Sequence, residues 1–538
     1  MNYEQAMEYI HAVQWAGHKP GLTRTRTLLA ALGDPHKQLR FVHVAGTNGK
    51  GSTAAMMASC LQAAGYRVGL YTSPFINRFN ERIQINGVQI PDEELVKLVE
   101  QVKPAADAME DVPTEFEIIT ALGMLYFAQQ KCEIVVLEVG LGGTLDSTNV
   151  IDAPECAVIT ALGMDHVKEL GPTLADIAAA KAGIIKEGCP VVSYGGVPEA
   201  DIVIRRVCAE KHAELTEVDF SRLKYEGGSL DAVKFDFDGL TDVHLPLIGS
   251  YQPRNAALAI TALRVMRTHG WNIPESAIRT GLETVSWPGR FELLRHEPVF
   301  LLDGSHNAHG MRATVQSLRD RFPGQKFVFL VSIMADKDVD QMLSLLAPLA
   351  VRFVTVAAHT PRAMPAETLA EHIRAYGCRA EAAASIEAGV ARAVELGGEG
   401  PVCALGTLYF SGDVRKAFRK LTEKDLRMPS ALLWAFSAKN DFYVCKSGGS
   451  ADLPDLLFSR KKLLLVQRAV AWDRLKGFYK ILLRRVCSLL RAKREPERTA
   501  VPAGHESPSG AFKPQTGLQS KCRVFSAARS PLLSRRGR

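Results

Sequence analysis

Residues 41–60 read FVHVAGTNGKGSTAAMMASC, and this stretch decides the fold class. The apolar run at 41–45 predicts a buried strand, and the small and apolar residues at 52–64 predict a helix that ends at Gly65. Glycines join the two. A strand that leads through a glycine-rich loop into a helix is typical of a parallel α/β sheet. We therefore expect an α/β fold whose first loop faces a ligand.

The residue types of this loop suit phosphate. The loop consists of Gly46, Thr47, Asn48, Gly49, Lys50, Gly51 and Ser52. Its glycines can turn backbone N–H groups toward an anion, and the helix start adds partial positive charge. Lys50 can reach the terminal phosphates, and the hydroxyl of Ser52 or Thr53 can meet Mg²⁺. The literal P-loop spacing is not met, because Val44 stands where its first glycine should be and Gly51 follows the lysine. By spacing alone, the loop is either a phosphate site or a glycine-rich turn that opens a helix.

Strand-like and helix-like runs alternate along most of the chain, which predicts further parallel strands. Before residue 287 we predict strands at 67–71, 133–139 and 157–161, and helices at 114–129 and 174–185. A second α/β set follows the turn Trp287-Pro288-Gly289, with strands at 299–303, 326–332, 352–357 and 402–405. We therefore place one boundary near Pro288 and a second near Leu421, which divides the chain into residues 1–287, 288–421 and 422–538.

The positive net charge of +7 comes from one end of the chain. From Lys424 onward there are 24 Lys and Arg against 8 Asp and Glu, whereas residues 1–423 hold 41 against 50. In this tail, apolar residues recur at steps of three and four over 471–489, which predicts a helix with basic residues among them. From Arg494 the composition predicts disorder. The tail is either a basic amphipathic helix for an anionic membrane or nucleic acid, or an extension without function.

Composition also indicates the compartment. No stretch of 18 or more uncharged apolar residues occurs, so no membrane span is predicted. Glu4 and Glu8 stand where a secretory signal would be basic and then apolar. The ten cysteines are scattered and form no CxxC pair, which is typical of reduced thiols. We expect a cytoplasmic protein without a membrane span and, because the body is mildly acidic, without a nucleic acid partner.

Three polar residues follow predicted strands. Ser73 comes after the strand at 67–71, Glu138 ends the strand at 133–139 before several glycines, and His166 comes after the strand at 157–161. Because the carboxyl ends of parallel strands meet at one edge of a sheet, these positions suit a metal or phosphate site. Each residue also has a structural interpretation: Ser73 as a turn residue, Glu138 as a capping or ion-paired carboxylate, and His166 as a structural histidine.

Several long motifs, in the same order, resemble those of the folylpolyglutamate synthase and dihydrofolate synthase family of the Mur-ligase superfamily. They are HVAGTNGKGS at 43–52, YTSP at 71–74, MDH at 164–166, IAAAKAGIIK at 177–186, LIGSYQPRNAA at 247–257, WPGRFE at 287–292 and LDGSHN at 302–307. The resemblance covers nearly all of residues 1–420. It implies a P-loop-containing Mur-ligase-type ATP-binding domain at 1–287, a smaller Rossmann-like glutamate-ligase domain at 288–421, and an atypical extension at 422–538.

The resemblance also implies an activity. Members of this family join L-glutamate to the glutamyl carboxylate of tetrahydrofolate, with ATP and Mg²⁺, through an acyl phosphate. Bifunctional relatives also join glutamate to dihydropteroate. An acyl phosphate mechanism needs positioned cations, because the transferring phosphoryl group and the tetrahedral intermediate are both anionic. We expect folate, L-glutamate and ATP as partners, and a monomer.

Site residues follow from matching positions. The resemblance implies catalytic roles for Lys50, His166, Lys181 and His306. It implies that ATP is bound by residues 46–52 with Asn255, Arg290 and Asp303. Mg²⁺ would be held by Ser52, Ser73, Glu138 and His166, and folate would contact Phe79 and Arg82. In the family the lysine at position 181 is carbamylated, which turns a cation into an anion.

Four positions depart from the family pattern. Thr144 stands where Arg is common, Ala180 replaces a usual Glu, Tyr251 replaces a common His, and Ser305 replaces a common Ala. The first two remove charges near the metal region and bear on substrate handling.

Two other functions stay open. A Mur-type peptide ligase of cell-wall synthesis would share the phosphate chemistry, but Thr72-Ser73-Pro74 and the segment at 9–33 favour folate. A nucleotide-binding or tail-driven module without ligase activity is the other, and the intact set of Lys50, Glu138, His166 and Asp303 argues against it.

Overall fold

A computed structural model describes residues 1–12, 21–426, 435–439, 442–446 and 456–459. The chain forms two compact units, Met1–Ser430 and Ala431–Arg538. Every candidate site residue lies in the first unit. None of the helices in the described ranges is long and apolar enough to cross a membrane.

An eight-stranded sheet is the centre of the first half of unit Met1–Ser430. Its strands are β1 (Phe41–Ala45), β2 (Val68–Tyr71), β3 (Ile83–Ile85), β4 (Val88–Gln89), β5 (Ile134–Glu138), β6 (Cys156–Ile159), β7 (Val191–Ser193) and β8 (Leu215–Glu217). Their order is β4-β3-β2-β5-β1-β6-β7-β8. Strands β2, β5, β1, β6, β7 and β8 pair in parallel, whereas β3 and β4 add an antiparallel edge. Strands β1, β5 and β6 are buried along their whole length, as expected when helices cover both faces.

Ten α-helices of the described residues surround this sheet. They are α1 (Tyr3–Ala12), α2 (Thr23–Ala31), α3 (Lys50–Ala63), α4 (Asp92–Asp107), α5 (Glu115–Gln129), α6 (Val167–Leu170), α7 (Leu174–Ala182), α8 (Pro198–Glu210), α9 (Gln252–Thr268) and α10 (Glu275–Thr284). Helices α3, α9 and α10 share one hydrophobic cluster, and α1, α2, α4 and α5 share another. A small antiparallel sheet of β9 (Leu223–Gly228), β10 (Val233–Phe237) and β11 (Leu240–Leu245) packs into the cluster of α9.

A six-stranded sheet is the centre of the second half. Its strands are β12 (Glu292–Arg295), β13 (Phe300–Leu302), β14 (Phe327–Val331), β15 (Ala350–Thr355), β16 (Ala380–Ala382) and β17 (Val402–Leu405), in the order β12-β13-β17-β14-β15-β16. All pairs are parallel except β12 with β13. The helices are α11 (Ala308–Arg321), α12 (Val339–Leu346), α13 (Ala366–Ala375), α14 (Ile386–Gly397) and α15 (Ser411–Leu426). We call β1–β11 with α1–α10 the first lobe, and β12–β17 with α11–α15 the second lobe.

The α/β class with parallel sheets is confirmed. All eight strands named in the sequence analysis exist, with ends that differ by at most two residues, and the predicted helix at 174–185 ends earlier, at Ala182. The predicted boundary near Pro288 falls between α10 and β12, and the one near Leu421 falls inside α15. The small antiparallel sheet was not predicted.

The second unit is described only in part. Its described segments are three antiparallel strands, β18 (Ala435–Lys439), β19 (Phe442–Lys446) and β20 (Leu456–Ser459). The sequence analysis did not predict them. The helix predicted at 471–489 and the disorder predicted from Arg494 lie outside the described residues.

Candidate active site

The glycine-rich loop connects β1 to α3, and its glycines are required by its surroundings. Gly46 has φ +152° and Gly49 has φ +89°. A Cβ at Gly46 would lie 1.8 Å from Thr160 Oγ1, and a Cβ at Gly49 would lie 2.7 Å from Asn255 Oδ1. The loop is therefore pressed against the end of β6 on one side and the start of α9 on the other, with no room for a side chain.

Hydrogen bonds fix the loop. The backbone N–H groups of Thr47 and Asn48 donate to Ala161 O at 3.1 Å each, and Thr47 Oγ1 donates to Gly163 O at 3.0 Å. Lys50, the first residue of α3, folds back over the loop and donates from Nζ to Gly46 O at 3.2 Å. The ammonium group therefore lies at the helix start, where an anion is favoured.

Glu138 lies beside Lys50. Its carboxylate is at the end of β5, is 3% exposed and accepts one hydrogen bond, from Ser73 N at 3.1 Å. Burial raises the pKa of Glu138, and Lys50 is the largest influence that opposes the rise. The structure thus brings Ser73, Glu138 and Lys50 together, as expected from strands β2, β5 and β1 being neighbours in the sheet.

Whereas Lys50 is only partly buried, Lys181 is a buried lysine. A capping box starts its helix, α7: Thr173 Oγ1 accepts from Asp176 N at 3.1 Å, and the Asp176 carboxylate accepts from Thr173 N at 3.1 Å. Lys181 is 5% exposed. Burial, together with the positive charge of Lys50, lowers its pKa to about 7. A lysine of this kind is partly neutral at physiological pH and can act as a nucleophile.

His166 begins the short helix α6 with a left-handed backbone, φ +52°. Its Nε2 lies 3.9 Å from Asp165 Oδ2, and its Nδ1 lies 3.8 Å from Glu169 Oε2. Burial lowers the pKa of His166, so the imidazole is neutral at physiological pH and keeps a lone pair. Lys50 lowers this pKa as well, which places His166 in the same electrostatic neighbourhood as Glu138 and Lys181.

The residues predicted to hold Mg²⁺ partly fit that ion. Glu138 is a buried carboxylate with a single donor, a group that a cation would stabilise. Ser52, 2% exposed on α3, has its hydroxyl 3.3 Å from Gln252 Nε2. Within the described part of the chain, no three His, Cys, Asp or Glu side chains lie close enough to hold a metal on their own. Mg²⁺ takes few protein ligands and retains water and phosphate oxygens.

Arg290 and Asp303 come from the start of the second lobe and differ in the number of protein groups that their side chains bind. Asp303 is 1% exposed, and five donors surround its carboxylate: Tyr251 Oη, Phe291 N, Ser305 N, Ser305 Oγ and Thr314 Oγ1. The Arg290 guanidinium forms no hydrogen bond or ion pair with any residue of the described ranges. Its Nη1 lies over Gly304, 2.3 Å from where a Cβ would be. Arg290 is thus available to an anion, whereas the oxygens of Asp303 are occupied by protein groups.

His306 and Asn307 face the first lobe. His306 Nδ1 contacts Gly304 O at 2.9 Å; because a carbonyl only accepts, Nδ1 carries the proton and Nε2 the lone pair. Burial lowers the pKa of His306 to about 4. Its Nε2 lies 3.7 Å from Asp165 Oδ2. Burial would raise the pKa of Asp165, but the adjacent histidines and Lys337 hold it well below its usual range.

The predicted folate residues lie together at the start of β3. Arg82 stacks over Phe75 and Phe79, with centroid distances of 5.2 and 5.9 Å. Its Nε and Nη1 atoms are buried and donate to no hydrogen-bond partner in the described residues. Phe79 is only 3% exposed and belongs to the core, whereas Phe75 is partly exposed. Phe75 was missed by the sequence analysis, although it follows directly after the Ser73-Pro74 motif.

The four departures from the family pattern form two contact groups. Thr144 donates to Ala180 O from both its backbone N, at 2.8 Å, and its Oγ1, at 3.0 Å. Tyr251 and Ser305 both donate to Asp303. The two members of each pair therefore lie close together. The Arg and Glu that the family has at positions 144 and 180 would likewise be neighbours.

Sequence reasoning also missed polar residues that join the lobes. Asn48 Nδ2 lies 3.2 Å from Asn307 Oδ1 and 2.7 Å from His309 Nδ1. Lys337 forms an ion pair with Asp165 at 2.6 Å. Asn307 belongs to the motif at 302–307, but a motif does not show which residue reaches across to the other lobe.

Comparisons with known proteins agree with this architecture. Residues 44–263 match the Mur ligase middle domain, and residues 289–405 match the glutamate ligase domain of Mur ligases. The chain is 40% identical over 431 residues to the dihydrofolate synthase/folylpolyglutamate synthase of Bacillus subtilis, a similarity that covers 78% of this chain and 99% of the relative.

Solved structures are similar as well. Folylpolyglutamate synthase of Mycobacterium tuberculosis complexed with ADP superposes with a TM-score of 0.73 at 30% identity and covers 77% of this chain and 98% of that one. An FPGS–AMPPCP–folate complex superposes with a TM-score of 0.69 at 36% identity and covers 78% of this chain and 100% of that one. The relative and the two solved structures each match a part of the chain that is shorter than the whole by roughly the length of the basic tail.

Proposed function

Because the chain belongs to the folylpolyglutamate synthase and dihydrofolate synthase family of the Mur-ligase superfamily, we propose that it joins L-glutamate to a folate carboxylate in an ATP-dependent reaction. Tetrahydrofolate with at least one glutamate is the proposed acceptor. The relatives that bind ADP, AMPPCP and folate support this assignment.

One observation carries the proposal. Lys50 follows β1 through the glycine-rich loop and starts α3, and the buried carboxylate of Glu138 ends the neighbouring strand β5. The charge of Lys50 opposes the rise in the pKa of Glu138. A cation at a helix start, beside a buried carboxylate, is the arrangement that phosphoryl transfer needs. A Mur-type peptide ligase would share it, but the named relatives act on folate.

In the first half-reaction, the γ-phosphoryl group of ATP is transferred to the substrate carboxylate, which gives an acyl phosphate and ADP. We assign residues 46–52 to the β- and γ-phosphates, with Lys50 as the point charge and Asn255 beside the loop. Arg290 approaches from the second lobe and neutralises the transferring group with its planar guanidinium. Mg²⁺, held by Glu138 with Ser52, Ser73 and His166, would neutralise further phosphate charge.

In the second half-reaction, the glutamate amine attacks the acyl carbon, phosphate leaves, and the amine loses a proton. We assign His306 to the placement of this amine, because its neutral ring keeps an Nε2 lone pair that can accept a hydrogen bond from it. Asp303, saturated by protein donors, holds the loop that carries Ser305 and His306. Contact between the lobes excludes water from the acyl phosphate.

We propose that Lys181 is carbamylated. Its low pKa supplies the neutral amine that attacks CO₂, and the product is an anion beside Lys50.

For folate, we propose that the ligand stacks on the partly exposed Phe75, with Arg82 near the folate carboxylates. Phe79 packs behind Arg82 from the core.

We also propose that the protein is a monomer and that it is cytoplasmic. The seven free thiols of residues 21–426 support the cytoplasmic location.

The test is an ATP-turnover assay on purified protein with L-glutamate and Mg²⁺, followed by mass analysis of the folate product. Tetrahydrofolate that gains glutamate residues supports the proposal. Gain of one glutamate by dihydropteroate would show the second activity of the family. If neither acceptor gains glutamate while the B. subtilis relative is active in the same assay, the proposed function is wrong.

A further inference from the structure

One polar contact between the lobes has no role in the proposed chemistry. Lys337 follows β14 in the second lobe, and Asp165 follows β6 in the first lobe. Lys337 Nζ lies 2.6 Å from Asp165 Oδ1, and the two side chains are 9% and 8% exposed. The pair is therefore withdrawn from water at the junction of two separately folded sheets.

Stability alone does not explain such a pair. Moving two charges out of water costs about as much as their attraction returns, and well-packed apolar side chains at the same place are often as stable. A buried pair does restrict geometry, because the two charges attract strongly only in a few relative positions. The pair thus restricts how the second lobe sits on the first.

The other oxygen of Asp165 extends the contact to the phosphate loop. Asp165 Oδ2 accepts a hydrogen bond from Asn307 Nδ2 at 2.8 Å. Asn307 Oδ1 in turn lies 3.2 Å from Asn48 Nδ2, and Asn307 is 5% exposed. A single carboxylate therefore connects Lys337, through Asn307, to a residue of the loop that carries Lys50.

The same carboxylate lies between the two histidines of the site. Asp165 directly precedes His166, and His306 Nε2 is 3.7 Å from it. Without Lys337, Asp165 would be a buried carboxylate whose remaining polar neighbours are Asn307, His166 and His306, and it would draw the neighbouring rings or the lobes out of position. The groups that would move are those that act after ATP is bound.

We propose that Lys337 is a positioning residue of the ligation reaction: its ion pair with Asp165 sets the second lobe on the phosphate loop and so places His306 and Arg290 over the bound substrates. This inference rests on the proposed function. Lys337 itself is not assigned to contact ATP or folate.

The test compares three variants of the full chain. Lys337→Met keeps the length of the side chain but leaves Asp165 unpaired. Lys337→Arg keeps the charge, and Lys337→Met with Asp165→Asn removes both charges. Lys97→Met is the matched control, because Lys97 forms a surface pair with Glu94 and is 62% exposed.

Steady-state kinetics and binding of ADP give the readout. We expect Lys337→Met to lower kcat about 100-fold, the effect of a misplaced reacting group, and to raise the KM for glutamate, with ADP affinity within about twofold of the original chain. Lys337→Arg and the double variant should both recover at least about tenfold of the lost kcat. Lys97→Met should behave as the unaltered chain.

Three results would overturn the inference. One is a Lys337→Met variant with kcat and glutamate KM within about twofold of the original. Another is a loss of ADP binding in parallel with activity, which indicates a purely structural role. A third is failure of both Lys337→Arg and the double variant to recover activity.

Amide hydrogen exchange separates this inference from the proposed function. Lys337→Met should speed exchange at residues 46–52 and 304–310 with ADP bound, whether or not any folate is a substrate. Suppose that the original chain is inactive with every folate but that exchange is faster in Lys337→Met. The proposed function would then be wrong, whereas the proposal that Lys337 positions the lobes would stand. Unchanged exchange at both segments would defeat the inference.

Discussion

Glu138 is a single carboxylate on which much of the proposed chemistry depends. It is buried, accepts one hydrogen bond from Ser73 N and lies near Lys50. Glu138→Gln keeps the shape and removes the charge. We expect kcat to fall about 100- to 1000-fold, the usual effect of deleting a positioned electrostatic group, with a smaller change in ADP affinity. The measurement is steady-state turnover at saturating ATP and folate.

Glu133→Gln is the matched control for this prediction. Glu133 lies just before the same strand, at its opposite end, and is exposed. Glu133→Gln should have a turnover within about twofold of that of the unaltered chain. A Glu138→Gln variant that is as active as Glu133→Gln would remove Glu138 from the site.

Lys181 makes a prediction about pH. Its pKa in the folded protein is about 7, below the ordinary 10.5, because burial disfavours the ammonium form. The neutral amine that reacts with CO₂ is therefore populated as the pH rises through about 7, while unfolded lysines stay protonated. We expect a carbamate signal after incubation with ¹³C-labelled bicarbonate at about pH 8 and its loss at about pH 6, followed by ¹³C NMR.

The lysine variant decides the assignment of that signal. Lys181→Gln should abolish the carbamate resonance and lower kcat, and the fold should persist because glutamine is neutral in the buried position. A resonance that survives in Lys181→Gln would place the modification on another lysine. A chain with full activity and no carbamate at any pH would show that Lys181 acts as an unmodified amine.

At the scale of elements, helix α3 allows two glycines to be compared. Gly49 precedes its first residue and Gly65 follows its end, and both have positive φ, +89° and +97°. A Cβ at Gly49 would lie 2.7 Å from Asn255, whereas a Cβ at Gly65 would meet nothing within 4 Å. Alanine at either costs about 1–2 kcal/mol of backbone strain, but only alanine at Gly49 also displaces the loop.

The expected result is a separation of stability from nucleotide binding. Gly49→Ala and Gly65→Ala should lower the free energy of unfolding by similar amounts in urea titrations. Gly49→Ala alone should weaken ADP binding, by about tenfold or more if one or two loop N–H contacts are lost. Equal ADP affinities in the two variants would contradict the view that the packing of the loop against Asn255 shapes the phosphate site.

Elements with a strong local pattern were predictable, and elements set by distant contacts were not. Strands β1, β5 and β14 are buried along their whole length and apolar except for His43 and Glu138, so the apolar run in each sequence predicts a strand. Strand β9 is mostly exposed, and β12 is nowhere fully buried. Their sequences show no clear alternation of apolar and polar residues. These segments form strands because neighbouring strands pair with them.

The same division holds for the site. Residues of the glycine loop and of strand ends were predicted because local chain direction places them at one sheet edge. Lys337 and Asn307 could not be assigned from sequence, because their roles depend on how two sheets meet, and no local pattern encodes that. Asp303 was predicted to hold the nucleotide, and that role stays a prediction; five protein donors surround it.

At the scale of the whole molecule, the chain divides in sequence into Met1–Ser430, which holds the candidate site, and Ala431–Arg538, which holds most of the basic tail. The two compact units meet in sequence at Ser430, and the family matches end at residue 405. Every residue assigned to ATP, Mg²⁺, folate or glutamate lies before that point. We therefore expect a chain of residues 1–430 to keep kcat and all KM values within about twofold of the full chain, since no proposed contact with a substrate is removed.

The tail's own role is decided by a second readout on the same pair of proteins. If residues 431–538, with 22 basic residues against 7 acidic ones, bind an anionic surface, the full chain should co-sediment with vesicles that contain phosphatidylserine, and residues 1–430 should not. Binding of this kind weakens steeply with salt, because charges farther apart than about 8 Å are screened at physiological ionic strength. Co-sedimentation that persists in 1–430 would place the membrane contact on the catalytic unit, whose residues 1–423 are net acidic. Equal activity with no vesicle binding by either protein would identify the tail as an extension that the ligase does not use.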